Sequence, residues 1–331
     1  KITPRQFPTY LLTQAISQKA KPIIKLLLEK GADVNQRNSD GVPPLHLACK
    51  SLDCDEVKMF LDKKANAKAL YNSGQGPLFY ALLNPSNFHR EPIMHYLLAA
   101  GAAVDQPDSR GYYPFHYAAE TNLVDTMAFL LRSGASIDVR NKNGETPLMS
   151  AISAGQKEAV QWLVSNGAKL ELYNLRGQSP LYLADFFASE KILNILLAAG
   201  APKKSFLLNG ERGQANVDGT SQLCLAAAEN RFHAVQWLLE ENPAMDEPDK
   251  NGETPLFFAV RNAQPEMVQF LLQKGADFER KNAMGQTPLE VVNILLASLS
   301  AENIPQLPSK KEMKEKMVQT LSLLANCTRK K

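Results

Sequence analysis

Apolar positions recur along this chain in a fixed register of turn, short helix, break, second short helix and glycine stop. Residues 141–167, NKNGETPLMSAISAGQKEAVQWLVSNG, hold one complete copy. The apolar residue at the second position of each first helix marks the register. It is Leu45, Leu78, Phe115, Leu148, Leu181, Leu223, Leu256 and Leu289, at steps of 33, 37, 33, 33, 42, 33 and 33. One further step back lands on Leu12. Three residues past the anchors stand Ala15, Ala48, Ala81, Ala118, Ala151, Ala184, Ala226, Ala259 and Val292. A second marker drifts with the first: Gly31, Gly101, Gly134, Gly167, Gly200 and Gly275 close the second helices, with Lys64 and Asn242 in the two slots between. Self-similarity at such a period predicts a stack of like units.

Each predicted element has a physical cause. Thr146 and Thr254 stand where a helix needs an N-cap acceptor for its orphan N–H groups. Pro147 and Pro255 follow at the first helical position, where a missing N–H costs nothing. The small residue lets neighbouring helices approach, and Val160, Trp162, Leu163 and Val164 give the second helix its apolar stripe. Gly167 then permits a left-handed C-terminal cap. Lys64 in that position costs about 1 kcal/mol against glycine, which predicts a different loop there. One such unit cannot cover its own apolar face, so neighbours bury it.

The motif D/N-x-x-G-x-T-P-L-x-x-A, followed by a second helix ending L-L-x-x-G-A, resembles the ankyrin repeat. DGVPPLHLA (40–48), NGETPLMSA (143–151), NGETPLFFA (251–259), MGQTPLEVV (284–292) and LLLEKGADVN (26–35) carry the likeness. The resemblance implies an all-α, ankyrin-type α-solenoid of about nine helix-turn-helix repeats with β-hairpin-like turns. Residues 1–9 are then a leader or cap and 10–300 the repeat array. Residues 301–331 form a linker and a C-terminal capping helix over 309–327. That helix is expected to bury Met313, Met317, Leu321 and Leu324 and to keep Lys310, Lys314, Glu315 and Lys316 wet. Two inserts lengthen the period, at 84–91 and 205–217. Phe88 and His89 tip the first. In the second, Gly210, Gly213 and Asn216 predict turns, while Phe206, Leu207 and Leu208 predict partial packing.

Bulk composition then changes the picture only at its edges. A length of 331 residues would suggest two or three domains, but the repeats predict one elongated array. A formal net charge of +3 is too small to argue for nucleic acid or a membrane surface. Cys49, Cys54, Cys224 and Cys327 show no pairing pattern and read as free thiols of a reducing compartment, so a cytoplasmic location is expected. No run of 18 apolar residues occurs, and KITPRQFPTY lacks an apolar signal segment and an initiator Met, as a trimmed chain would.

Candidate chemistry is sparse. His46 and His116 occupy the T-P-L-H slot, where the resemblance implies a structural hydrogen bond to the next turn; His95 and His233 are expected on helix surfaces. No H-E-x-x-H, metal spacing, phosphate loop or G-x-S-x-G appears, and Cys54 is the thiol best placed to serve a Cys–His pair. No enzyme activity, cofactor or metal is expected.

Binding is the better fit. The resemblance implies that hairpin tips and outer first-helix positions line a concave surface free to vary. On those slots stand Arg110, Tyr112 and Glu120, then Arg140 and Lys142, then Tyr173, Arg176, Phe186 and Phe187, and further on Arg261. Aromatics and arginines are the residue types favoured at interface hot spots. Two readings stay open for Phe186 and Phe187: partner contact, or packing under the 205–217 insert. The expected function is a monomeric, non-enzymatic scaffold that binds a partner protein, as a regulator or as a microbial effector in a host cytosol. The alternative is the binding segment of a larger enzyme. Asn35 also resembles the asparagine that some members of this family present to a hydroxylase, which would make the chain a substrate.

Overall fold

The computed structural model describes residues 7–83, 90–207, 220–241, 245–301 and 308–329. Phe88, His89, Leu208, Gly210, Gly213, Asn216 and Asn242 lie outside the described residues. The chain divides into two units, Lys1–Lys169 and Leu170–Lys331. The first holds five helix pairs: Phe7–Ser17 (α1) with Lys21–Glu29 (α2), Pro44–Ser51 (α3) with Cys54–Asp62 (α4), Pro77–Leu82 (α5) with Arg90–Ala99 (α6), Pro114–Glu120 (α7) with Val124–Arg132 (α8), and Pro147–Ser153 (α9) with Lys157–Ser165 (α10). The second holds Pro180–Phe186 (α11) with Glu190–Ala198 (α12), a 3-10 turn at Lys203–Phe206, then Gln222–Ala228 (α13) with Phe232–Glu241 (α14), Pro255–Arg261 (α15) with Pro265–Gln273 (α16), and Pro288–Ala301 (α17) with Pro308–Arg329 (α18). The described residues contain no strand, so the fold class is all-α with nine helix pairs.

The helices are short because their caps are close together. Thr146 accepts from the Met149 N–H at 3.4 Å, and Ser179 does the same for Tyr182 at 3.0 Å. Thr287 and Glu290 form a reciprocal capping box. Thr254 departs from the expectation: its hydroxyl is buried without a partner among the described residues. Helices this short are marginal alone, and lateral packing supplies the rest. In the first unit α3 packs on α5 and α7 on α9; in the second α13 packs on α15 and α15 on α17. The anchors Leu45, Leu148, Leu181 and Leu256 are all at most 2% exposed, as are Ala48, Ala118, Ala151, Ala184 and Ala259.

Between helix pairs the chain forms arms closed by an Asn or Asp side chain. Asn141 Oδ1 accepts from the N–H groups of Asn143 and Glu145, at 2.8 and 3.0 Å. Asp108, Asn174, Asp249 and Asn282 repeat the arrangement. Successive arms are tied by polar bonds of nearly constant sequence separation. His46 Nε2 donates to the Gln75 carbonyl at 3.2 Å and His116 Nε2 to that of Glu145 at 2.8 Å. Asn35, Asp105 and Asp138 each accept from a backbone N–H 31 residues on.

Two expectations fail for identifiable reasons. Lys64 does not change the loop: it adopts φ +64°, and Ala65 N–H bonds Phe60 O just as Ala168 bonds Leu163 at the Gly167 stop. The repeat geometry over-determines this turn and the side chain accepts the strain. On α18, Met317 and Leu324 are buried with Thr320, but Met313 is 45% exposed, because the packed face begins one turn later. Lys314, Glu315 and Lys316 are exposed as expected. In the second insert Phe206 and Leu207 are buried at 2% and 1%.

Two outcomes are expected. Lys64→Gly should raise unfolding free energy by about 0.5–1 kcal/mol in denaturant melts, by relieving the left-handed strain. Burial pushes His46 and His116 down to about 4 from 6.5. The unfolded chain therefore binds protons that the native chain refuses. Stability from these rings is complete above pH 6.5 and drains away as pH falls toward 4, on the order of 3 kcal/mol for each ring. Melts recorded across that window should show the loss, and a His46→Asn/His116→Asn variant should show a flatter profile.

Candidate functional site

In each repeat one arm residue and two first-helix residues fall four apart, on a common face. In repeat eight these are Glu253, Phe257 and Arg261. Arg261 reaches back along that face to ion-pair with Glu253, its Nε 3.0 Å from both carboxylate oxygens. That bond raises the guanidinium pKa. In repeat four the series is Tyr112, His116 and Glu120; the Tyr112 and His116 rings lie 5.1 Å apart, and Glu120 is exposed. In repeat six it is Gln178, Tyr182 and Phe186, where the Tyr182 and Phe186 rings stack at 6.4 Å and 15°.

In the first unit the predicted cations are spent on the fold. Arg110 pairs with Asp108 at 3.2 Å and lies 5.2 Å from the Tyr112 ring centroid. Arg140 Nε donates to Gly144 O at 3.1 Å, and Lys142 Nζ to Ser109 O at 2.6 Å, which ties two neighbouring arms. Tyr112 is half-buried, its hydroxyl 3.3 Å from Ser150 Oγ, and burial raises its pKa. This cluster is a hydrogen-bonded edge with little unspent polarity.

The second unit differs. Phe186 and Phe187 are 43% and 47% exposed and meet edge-to-face at 5.3 Å. They occupy slots held elsewhere by Lys50 and Ser51, Glu120 and Thr121, or Arg261 and Asn262. Tyr173 is half-buried on the same arm, while Arg176 and Leu175 are exposed at its tip. Arg176 has no side-chain partner among the described residues. So the structure brings Arg176, Phe186 and Phe187 onto one repeat and leaves Arg261 on another, held by its own carboxylate.

Beneath the aromatic pair lies a network that sequence reasoning missed. Arg231 is 2% exposed, and its guanidinium carbon sits 3.6 Å from the Tyr182 ring centroid. Its Nε is 3.5 Å from Asp185 Oδ2, its Nη1 3.4 Å from Glu229 Oε2, and its Nη2 donates to the Phe206 carbonyl. Tyr182 donates to Glu229 at 2.5 Å. Asp185 also accepts from Ala234 N–H and from His233 Nδ1, so that ring carries its proton on Nδ1. Asp185 was the legible signal. Its slot holds Ile16, Cys49, Leu82, Ala119, Ile152, Ala227 and Val260 in repeats one to five, seven and eight, and an exposed Asn293 only in repeat nine, and a carboxylate in a core slot demands a buried cation.

No cluster of three or more metal-ligating side chains occurs among the described residues. Burial, with Asp53 and Asp55 beside it, pushes the Cys54 thiol up, away from the thiolate a nucleophile needs.

Comparison with known proteins agrees with this architecture. A family model described as ankyrin repeats (3 copies) matches residues 12–108, 86–174, 115–206 and 203–282. Tyrosine-protein kinase HTK16 of Hydra vulgaris is 28% identical over 110 residues, 32% of this chain and 14% of the relative. Tyrosine-protein kinase Shark of Drosophila melanogaster is 32% identical over 114 residues, 34% of this chain and 12% of the relative. A putative ankyrin repeat protein of Acanthamoeba polyphaga mimivirus is 32% identical over 112 residues, 34% of this chain and 14% of the relative. The chain thus spans under a sixth of the length of each.

Arg231→Met should lower unfolding free energy by about 3–5 kcal/mol, because Asp185 is left buried without its cation. Adding Asp185→Asn should recover part of that loss in the same denaturant melts, which additive, independent effects would not do.

Proposed function

Since the chain belongs to the ankyrin-repeat family, we propose that it is a non-catalytic protein-binding module that grips its partner through the arm-and-first-helix face of repeat six. The exposed Phe186–Phe187 pair carries this reading. Two large aromatic rings stand on slots that are polar in most other repeats; Phe186 lies parallel to Tyr182, whose ring Arg231 backs, and Phe187 meets Phe186 edge-on. Rigid aromatic area of this kind costs little entropy when a partner covers it. We assign Arg110, Tyr112, Glu120, Arg140 and Lys142 of the first unit, and Tyr173 and Arg261 of the second, to contacts of lesser weight. Most of these side chains already have partners within the fold.

We further propose that the chain acts as a monomeric scaffold or regulator in a reducing cytoplasm, its own or a host's. None of the four cysteines forms a disulfide among the described residues, and two are buried, which supports that compartment. No described helix is long and apolar enough to cross a membrane. A second reading, the binding segment of a longer enzyme, draws on two relatives that are tyrosine kinases and match over about a third of this chain. The size of the natural polypeptide, read by immunoblot with an antibody to this chain, separates the two.

Phe186→Ala with Phe187→Ala should leave the melting transition close to that of the parent and weaken capture of the partner by at least about tenfold. Core phenylalanines would instead cost about 3–5 kcal/mol each. A large fall in stability would move both rings to the core and remove the reading.

A further inference from the structure

We propose that repeat six receives a short partner segment that is acidic at one end and bulky-apolar at the other. The acidic end would meet Arg176, Lys203 and Lys204, and the apolar end would seat on Phe186 and Phe187. The inference rests on the protein-binding reading and specifies the chemistry of the partner.

Cations gather at the head of α11, beside the exposed Leu175, and aromatic surface gathers at its tail. At its head, Arg176 sits in the arm loop that Asn174 closes, its backbone N–H bound at 2.9 Å and its guanidinium without a counter-charge among the described residues. Ser179, which caps the helix, donates to the carbonyl of Ser205. The residues just before Ser205 are Lys203 and Lys204, both exposed and both without an ion-pair partner among the described residues. Against these three cations, the arm over 170–178 carries one exposed carboxylate, Glu171. Among the described residues, Asp185 and Glu229 close to α11 are already answered by Arg231, His233 and Tyr182, and exposed Glu190 lies beyond the tail of the helix. Among the described residues the head of the face is therefore left positive.

At the tail of α11 the surface is aromatic. Phe186 lies parallel to Tyr182 and Phe187 meets it edge-on, so the platform is fixed before anything binds. A helix of this length advances about 9 Å at ~1.5 Å per residue. An extended segment advances ~3.3 Å per residue. Acidic and apolar side chains about three to five residues apart would then reach both ends at once. Cations and rings also suit single-stranded nucleic acid, but a strand needs open ring faces in succession, and Phe186 has one face against Tyr182.

The test is selection of phage-displayed random peptides on the intact chain, followed by anisotropy of the enriched peptides against variants whose melting is measured in parallel. The expected peptides pair acidic with bulky apolar residues at that spacing. Phe186→Ser with Phe187→Ser should weaken them at least tenfold. Arg176→Glu should weaken them about tenfold, and exchanging the peptide's acidic residues for lysine should restore the loss. Peptides that need the phenylalanines but are indifferent to Arg176, Lys203 and Lys204 would overturn this inference and leave the protein-binding reading standing. Peptides indifferent to the phenylalanines would overturn both. A labelled oligouridylate that bound as tightly as the peptides and was lost in Arg176→Glu would overturn the inference in favour of nucleic acid.

Discussion

No helix pair in this molecule can bury its own apolar face. First helices such as Pro147–Ser153 run two turns, and second helices such as Lys157–Ser165 run two and a half. Elements this short do not persist in water alone. Everything else follows from the need to borrow a neighbour. A small residue three places past each anchor lets first helices pack side by side, and buried Ala118 and Ala151 show it within one unit. The arms then have to keep step with the helices. Links such as His116 to Glu145 and Asp138 to Lys169 set that register, because each satisfies a backbone group that would otherwise be left unpaired in the stack.

The same constraint decides where function can reside. Residues on the packed flanks are committed to burial, while arm tips and the ends of first helices are not. Yet a slot that is free by position is not always free in chemistry. Lys142 spends its ammonium on a neighbouring arm, Arg110 on Asp108 and Arg261 on Glu253. Repeat six breaks this habit. It exposes two phenylalanines and an arginine without a counter-charge among the described residues, and its Tyr182 is braced from beneath by the buried Arg231. A buried cation packed on Tyr182, the ring that lies parallel to exposed Phe186, supplies the preorganisation a contact surface needs.

Much of the fold was legible in the chain itself. The anchor series and the glycine stops announced the helix pairs, and the T-P-L-H histidines fall where the turn carbonyls need a donor. The misses were tertiary. Lys64 reads as a breaker of the glycine stop, but the flanking helices hold it in the left-handed turn anyway. Met313 fits the periodicity of the last helix, but α18 packs on α16 and α17 through a face that starts after it. The candidate site was legible as slots and not as partners. No spacing rule tells that Arg261 will close on Glu253, or that Asp185 finds its cation at Arg231 in the next repeat.

Native-state hydrogen exchange under increasing denaturant tests the borrowed-burial claim most directly. The account predicts that amides of α7, α8, α9 and α10 converge on a common opening free energy as denaturant rises, because each pair depends on the next. Opening of α9 and α10 at their own low energy, while α7 and α8 stay protected, would contradict it.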